Sequence, residues 1–511
     1  MARGGEILPL SLADAMAMAI QNNLNVEIAR HDPLIAWERN RTAWGAYDPT
    51  ARLETGLSTI ETPVASALQA NTRTEDEVFG NSFSISGILP AISTQYGITL
   101  DADRTKTNRS ISSLREQWDS GLTFSITQPL LRGLYWNEPW TEVKVSKQFY
   151  RQSLDDFNRA LMDIVRGVEE AYWNLVATDE QERVAEKSLE AARELLEQTE
   201  VQYEVGVVSK VEVVEAEAGV AERDVELIRA RNNHERAEDQ LIDRVMGAGL
   251  TAGSLLGVNP TDRPDDYTDI SVDVEEASRK AMERRPELAS IDRQIEQREL
   301  QLTFARNQLA PQIDLVASYG YQGLAGKTGR RCTPAEIAAG NTFFCQVAPI
   351  DIHSNYRHSI EDYFDHDGAV NWSVGGVLSI PLGNHAPRAR RRSAEIELRK
   401  TRTQRTRQVQ DIVLEIRNAA RDLKSAQEGI EAAERRRLAA EEQFRAEGIR
   451  LEQGESTPFD VLQRERDLVE AESQKINAYQ VYRNSVVSLE RAQGTILDRH
   501  NIVVEDARRL R

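Results

Sequence analysis

The chain has 511 residues and a formal net charge of −19. This acidic balance argues against nucleic acid as a partner, because binding phosphates requires a basic face. Hydrophobic residues make up 40%, charged residues 28% and aromatic residues only 6% of the sequence. Such a composition is typical of long amphipathic helices rather than of one broad globular core. No apolar run reaches the roughly eighteen residues that a membrane-spanning helix requires.

Much of the chain occurs twice. At a constant offset of 262 residues, Leu12, Asp14, Ala15, Ala19, Asn23 and Pro49 correspond to Val274, Glu276, Ala277, Ala281, Arg285 and Pro311. At an offset of 248 residues, Asp163, Ile164, Val165, Ala171, Leu175, Ala192 and Gly206 correspond to Asp411, Ile412, Val413, Ala419, Leu423, Ala440 and Gly454. A duplication of this length indicates a repeat architecture. We expect a first structural repeat over 1–258, a second over 259–499 and a short C-terminal tail over 500–511, with the repeats interleaved in one body.

The first half begins with a predicted helix followed by strands. The helix is expected over 11–44, with Ser11 as its N-cap. Residues 51–60 and 118–128 alternate between apolar and polar side chains, which predicts two strands. Between them, the additional material at 61–117 is either an elongated outer loop or an added hairpin. Two further strands are possible there, at 82–89 and 95–103, and the pattern does not decide whether they form.

A long helical hairpin completes each half. Helices are expected at about 134–203 and 209–247 in the first half, and at about 457–493 after a long helix in the second. Apolar residues follow an alternating four-three spacing in these segments, which is typical of coiled-coil packing. Gly206 and Gly454 are predicted to end the long helices as left-handed C-caps, with Ser209 and Thr457 as the next N-caps.

The second half contributes two more alternating segments, 313–321 and 372–380, which brings the clear strands to about four. Each is about ten residues long, the length of a tilted membrane-spanning strand. Four strands do not close a barrel, and an open sheet edge in lipid leaves backbone amides without partners. If these strands lie in a membrane, several chains must therefore share one barrel.

The sequence resembles the TolC-like outer-membrane efflux (outer membrane factor) family over almost its whole length. The resemblance rests on the opening LSLADAMAMAIQNNL and its second copy VDVEEASRKAMERRPEL, on ARNQLAPQIDL, FSITQPLLRG and LSIPLG, and on the turns YEVGVVSKVEVVEA and LEQGESTPFDVLQR. It implies a mainly α fold with a β-barrel portion: long coiled-coil hairpins in two repeats, about four transmembrane strands per chain, a trimeric twelve-stranded barrel and an α-helical periplasmic tunnel.

The same resemblance implies a function and partners. Such a protein is the exit duct of a tripartite efflux pump or type I secretion system, a homotrimer in outer-membrane lipid that works with a periplasmic adaptor (membrane fusion) protein and an inner-membrane pump of the RND or ABC type. It is neither an enzyme nor a cofactor-binding protein, and no metal site is expected. The resemblance locates it in the outer membrane of a Gram-negative-type cell with its helical body in the periplasm, although the start of the sequence lacks the apolar stretch of an export leader.

Carried over position by position, the resemblance also assigns site residues. The adaptor would dock on the tips at Gly206, Val208, Ser209, Gly454 and Thr457. Asp460 matches the acidic position that lines the closed periplasmic constriction, and Gln463 stands where some members carry a second acid. Glu212 and Glu215 are the first-half counterparts. A first-turn carboxylate such as Asp460 also stabilises a helix N-terminus by itself, and both roles are compatible.

Three alternatives remain open from the residues. Cys332 and Cys345 are the only cysteines, and they form either a disulfide made in an oxidising compartment or two free thiols. The loop 324–370 contains His353, His358 and His366, but its spacing matches no metal template and favours a polar surface loop. The rival functions are a soluble coiled-coil scaffold and a periplasmic adaptor protein of an efflux system.

Overall fold

The structure is a computed structural model that describes residues 7–64, 72–109, 112, 114–247, 257–263, 265, 268–328, 332–340, 342, 356–361 and 369–503. The chain groups into two compact units. One unit contains Met1–Trp37, Phe149–Ile295 and Lys400–Arg511, and the other contains Glu38–Gln148 and Glu296–Arg399. Each unit contains segments from both sequence halves.

Helices make up most of the described chain. They are α1 (Leu12–Asn22), α2 (Leu24–Trp44), α3 (Glu138–Glu204), α4 (Lys210–Met246), α5 (Val274–Arg284), α6 (Pro286–Asn307), α7 (Pro334–Ala338), α8 (Tyr356–Glu361), α9 (His385–Glu452), α10 (Pro458–Gln493) and α11 (Ile496–Arg499). Among the described residues, no helix combines the length and the apolar character that crossing a bilayer requires.

The strands of the described residues form two sheets. They are β1 (Ile7–Leu10), β2 (Thr50–Pro63), β3 (Arg73–Ile88), β4 (Gln95–Thr107), β5 (Leu114–Pro129), β6 (Gly257–Pro260), β7 (Gln312–Thr328) and β8 (Ala369–Ser379). β1 and β6 pair in parallel, whereas the other six form one antiparallel sheet in the order β2-β3-β4-β5-β7-β8.

The larger sheet corrects the expected count of about four strands per chain to six. The described residues of the segment that the sequence left undecided, 61–117, include the end of β2, the hairpin β3–β4 and the start of β5. The polar residues at the start of β3 hide its strand pattern, yet they pair in register with β2 as far as Arg73 and Pro63. An added hairpin, rather than a loop, therefore occupies this part of the chain.

The helical cores repeat in the way that the sequence does. Ala15 and Ala19 of α1 are buried, and so are their counterparts Ala277 and Ala281 of α5. In α3 and α9, buried residues follow the predicted alternating four- and three-residue steps: Leu161, Val165, Val168, Tyr172 and Leu175 in α3, and Ile412, Ile416, Ala419, Leu423, Ala426 and Ile430 in α9. This seam is the interdigitated packing of a coiled coil.

One predicted helix, 11–44, is two helices. The break lies at Asn23, whose backbone leaves the helical region with ψ 122°. Its side-chain Oδ1 accepts a hydrogen bond from Asn25 N at 2.7 Å, and its Nδ2 donates to Arg244 O at 2.7 Å. A short amide side chain can cap a new helix in this way, which is why Asn favours helix ends over helix interiors.

Candidate functional site

The first helical turn, between α3 and α4, is closed by a glycine. Gly206 has φ +78°, a left-handed conformation that costs a residue with a Cβ about 1–2 kcal/mol. Its N–H donates to Tyr203 O at 3.0 Å, and Val207 N donates to Gln202 O at 2.8 Å. These two bonds satisfy carbonyls at the end of α3, as in a Schellman motif.

The second turn, between α9 and α10, repeats this geometry. Gly454 has φ +74°, its N–H donates to Leu451 O at 3.0 Å, and Glu455 N donates to Arg450 O at 2.8 Å. The predicted left-handed glycine caps are thus present in both turns. The duplication has kept the backbone of the two tips nearly identical.

In each tip, the N-cap residue of the following helix donates hydrogen bonds to a carboxylate in the first turn of that helix. In the first tip, Ser209 N and Oγ both donate to Glu212 Oε1, at 3.1 and 3.0 Å. In the second, Asp460 N donates to Thr457 Oγ1 at 3.3 Å, and Thr457 Oγ1 donates to Asp460 Oδ2 at 2.8 Å. Thr457 is thus the N-cap of α10, and Asp460 lies in the first turn of that helix, where a carboxylate stabilises the N-terminus. The Asp460 side chain remains exposed.

The other gate candidates lie further along the same two helices. Glu215 is half-buried in α4. Gln463, also half-buried, donates from Nε2 to Asp467 Oδ1 at 3.4 Å within α10. Glu212 and Asp460 are each bonded within their own turn, whereas the contacts that join α4 to α10 involve residues beyond the tips.

The first tip carries an exposed apolar surface, which we call the tip patch. Its members lie at the end of α3, in the turn and at the start of α4: Val201, Tyr203, Val205, Val207, Val211 and Val214. Val205 and Val207 are the most exposed, at 71% and 73%. At the second tip, only Ile449 and Phe459 are large, apolar and exposed. A cluster of exposed apolar side chains of this kind marks an interaction surface.

A buried ion pair joins α4 to α10 just beyond the tips. Arg223 Nε donates to Glu465 Oε2 at 2.9 Å, and Arg223 Nη2 donates to Leu462 O at 3.0 Å. Ser188 of α3 donates from Oγ to the other carboxylate oxygen of Glu465. The side chains of Arg223 and Glu465 are only 2% and 7% exposed. Sequence reasoning missed this pair, although Arg223 follows the buried Ala216 and Gly219 at seam spacing, which was the available signal.

The six-stranded sheet has two chemically different faces. Residues directly opposite each other on neighbouring strands share a face. Two rows on one face, the apolar rows, cross all six strands: Leu53, Phe83, Leu100, Leu122, Tyr321 and Val370, and next to them Ala51, Ile85, Ile98, Phe124, Tyr319 and Trp372. On the other face, the polar row between them contains Arg52, Ser84, Thr99, Thr123, Gly320 and Asn371.

The apolar rows are exposed. Trp372 and Leu53 are 72% and 71% exposed, and Phe83, Phe124 and Tyr319 are each more than one-third exposed. Aromatic and aliphatic side chains on every strand would not remain in water as a continuous band, because burying such side chains stabilises by about 1.5–3 kcal/mol each. This face is built to contact an apolar environment.

Of the two cysteines and three loop histidines singled out from the sequence, only Cys332 and His358 are among the described residues. Cys345, His353 and His366 lie outside the described residues, so the Cys332–Cys345 pairing stays a prediction. His358, in α8, lies 3.8 Å from Glu361. Within the described residues, no group of three or more potential ligands is arranged to hold a metal ion.

Comparison with known proteins identifies the class. The family model described as "Outer membrane efflux protein" matches residues 86–247 and 277–495, so this chain belongs to the outer membrane efflux protein family. No curated protein sequence matches it. Its fold is that of solved outer-membrane channels, as three examples show.

The channel OprN is 17% identical, with a TM-score of 0.65 over 95% of this chain and 90% of that one. The Campylobacter jejuni channel CmeC is 15% identical, with a TM-score of 0.66 over 98% and 88% of the two chains. The Neisseria gonorrhoeae channel MtrE, solved in its open state, is 15% identical, with a TM-score of 0.62 over 95% and 89%.

Proposed function

We propose that this chain is the outer-membrane exit duct of a tripartite efflux pump or type I secretion system, a homotrimer that conducts substrates passively. The two-faced sheet carries the proposal. Its apolar rows suit lipid and its opposite face suits a water-filled lumen. Its edge strands β2 and β8 each pair on one side only within the described residues, so closing the sheet requires other copies of the chain. Membership of the efflux family supplies the direction of transport.

The test is reconstitution in a planar lipid bilayer. A trimeric duct gives discrete conductance steps and migrates in a detergent gel as an oligomer that dissociates on heating. A protein that stays monomeric in detergent and produces no conductance at any concentration would overturn the proposal. The same result would favour the coiled-coil scaffold.

The adaptor is proposed to dock on the tips, at Gly206, Val208, Ser209, Gly454 and Thr457. Support comes from the tip patch, since an exposed apolar surface of this kind is costly without a partner. The adaptor would in turn connect the duct to an inner-membrane pump of the RND or ABC type. The tip glycines fix the backbone turn, and the neighbouring valines supply the apolar contact.

Docking is tested with one charge placed at two sites on α4. Val211→Glu, in the tip patch, is expected to abolish efflux of a fluorescent dye from the native cell while leaving bilayer conductance unchanged. Val225→Glu is the matched control, because Val225 is also exposed and lies outside the tip patch. Equal efflux from the two variants would contradict tip docking.

The periplasmic gate is proposed to be lined by Asp460, Gln463, Glu212 and Glu215. Carboxylates gathered at a constriction would repel one another across subunits, and adaptor contacts would shift the balance between closed and open tips. In this proposal, Asp460 has two roles: its carboxylate accepts the Thr457 hydrogen bond and its charge faces the constriction.

Two substitutions separate these roles. Asp460→Asn removes the charge and keeps an acceptor for Thr457, whereas Thr457→Ala removes the cap and keeps the charge. If Asp460 lines the gate, the Asn variant changes closed-state conductance severalfold and the Ala variant does not. If only Thr457→Ala has an effect, through stability, Asp460 is a capping residue alone.

A further inference from the structure

The hairpin β3–β4 belongs fully to the six-stranded sheet. β3 pairs with β2 from Thr50–Ser86 to Pro63–Arg73, and β4 pairs with β5 from Gln95–Thr127 to Lys106–Glu116. The two hairpin strands also pair with each other along their length. Removing the hairpin from the sheet would therefore break a ladder on both of its sides.

The hairpin has the same two faces as its neighbours. Phe83 and Leu100 lie in one apolar row, Ile85 and Ile98 lie in the other, and the side chains between them on the opposite face are polar. A hairpin that stood in water as an outer loop would gain nothing from continuing these rows. Its pattern indicates that it occupies the same environment as the other four strands.

The closed end of the hairpin is anchored next to the end of β5. Ser93 Oγ donates to Gly133 O at 2.6 Å and to Leu134 O at 3.1 Å. Gln128 Nε2 donates to Ile92 O at 3.1 Å. These bonds hold the turn at 89–94 beside the segment that follows β5, which leaves the hairpin no freedom to fold away from the sheet at this end.

The two edges of the sheet complement each other. Because the six strands alternate in direction, β2 and β8 run in opposite directions. The β8 strand of one copy can therefore pair antiparallel with the β2 strand of the next copy, as every other neighbouring pair in the sheet does. The apolar rows reach both edges, at Leu53 and Val370. The partner that fits each edge is therefore a second copy of this chain.

This inference rests on the trimer of the proposed function. We infer that three copies of the chain form one closed sheet of eighteen strands, instead of the twelve that four strands per chain would give. With strands about 4.8 Å apart and tilted by about 40°, eighteen strands close at a diameter of about 36 Å, and twelve close at about 24 Å. The hairpin thus widens the outer-membrane opening about twofold in cross-section.

The decisive measurement is the diameter of the closed sheet in the intact purified protein, determined by electron cryo-microscopy in lipid nanodiscs. A trimeric ring about 36 Å wide supports the inference. A trimeric ring about 24 Å wide, with the hairpin outside it, overturns the inference and leaves the proposed duct intact. The absence of any trimeric ring overturns the duct as well.

A deletion provides the matched variant. Removing 73–107 joins β2 to β5 through the remaining linker, and because the hairpin contributes two strands, Leu53 and Leu122 still share a face. The inference predicts that the deletion narrows the ring from about 36 to about 24 Å. An unchanged diameter would contradict it.

Labelling adds a test that does not depend on folding of the deletion. In lipid vesicles, Ser84→Cys faces the lumen and is expected to react with a water-soluble maleimide, whereas the neighbouring Phe83→Cys faces lipid and is protected at least tenfold. The unsubstituted chain serves as the background for its own two cysteines. Equal labelling of both positions would mean that the hairpin lies in water.

Discussion

Removing Arg223 tests whether the buried ion pair holds α4 and α10 together. Arg223→Met leaves the Glu465 carboxylate, only 7% exposed, without its guanidinium. Breaking a buried pair by removing one partner costs about 3–5 kcal/mol. We therefore expect the free energy of local opening around Glu465 to fall by about this amount, which corresponds to amide exchange at least about a hundredfold faster.

The assay is hydrogen–deuterium exchange on peptides from 458–470, with Arg231→Met as the control. Arg231 lies on the same helix and forms ion pairs with Glu182 and Glu186 at 3.2 and 2.7 Å, but its side chain is 53% exposed. Losing an exposed pair costs about 1 kcal/mol or less. If Arg223→Met accelerates exchange no more than Arg231→Met does, the buried pair does not stabilise this contact.

Substituting Glu465 as well tests whether the two side chains interact directly. Glu465→Leu alone leaves the Arg223 charge buried, so it too is destabilising. In the double variant, Arg223→Met with Glu465→Leu, no unpaired charge remains, and the loss should be smaller than the sum of the single losses by about 1–3 kcal/mol. Strict additivity would mean that the two side chains do not interact.

Two further predictions concern the unit that contains Phe149–Ile295 and Lys400–Arg511. Burial raises the pKa of the Asp155 carboxyl to about 6, against the opposing effect of Arg293 and with a further rise from Asp156. This folded-state pKa exceeds the unfolded value of about 3.9, so folding favours the protonated carboxyl. The contribution of Asp155 to the free energy of unfolding is therefore largest below about pH 4 and falls as the pH rises through 6. After allowance for solvent screening, the loss is about 1 kcal/mol. Asp155→Asn should remove that part of the change in thermal midpoint between pH 4 and 7.5, and an identical pH dependence in both proteins would contradict it. At the tips, Gly206→Ala and Gly454→Ala should each destabilise by about 1–2 kcal/mol because their φ angles are positive. Gly429→Ala, within α9, should instead stabilise by about 0.5–1 kcal/mol, because an added Cβ there would meet no heavy atom within 4 Å. Thermal midpoints that move in the same direction for all three would refute this account.

The sequence predicts the long helices well because their cores depend on periodicity. The expected helices 209–247 and 457–493 differ from Lys210–Met246 and Pro458–Gln493 by a residue or so at their ends. Glycine and capping residues define these ends locally, so no knowledge of the tertiary fold is required. The two left-handed glycines could be assigned for the same reason.

Features that depend on distant residues could not be predicted in the same way. β3 begins at Arg73, in a stretch that is polar on both faces, and only its pairing with β2 identifies it as a strand. The pairing of Arg223 with Glu465 joins residues that lie 242 positions apart. A seam position occupied by a charge indicates that a partner exists, but periodicity does not identify which carboxylate it is.

The two repeats show how a duplication can preserve a backbone while changing the chemistry that holds it. Asn23 and Arg285 are counterparts, and each ends a short helix with nearly the same ψ, 122° and 119°, and an N–H donated to Ala19 O or Ala281 O.

The side chains at these two helix ends form different interactions. Asn23 caps its neighbour through an amide, whereas the buried Arg285 donates to Glu287 at 3.0 Å and to Glu415 at 2.7 Å. A guanidinium at that depth requires carboxylates, while an amide does not. Repeat positions therefore predict where this chain bends, but the ion pairs of one half cannot be transferred to the other.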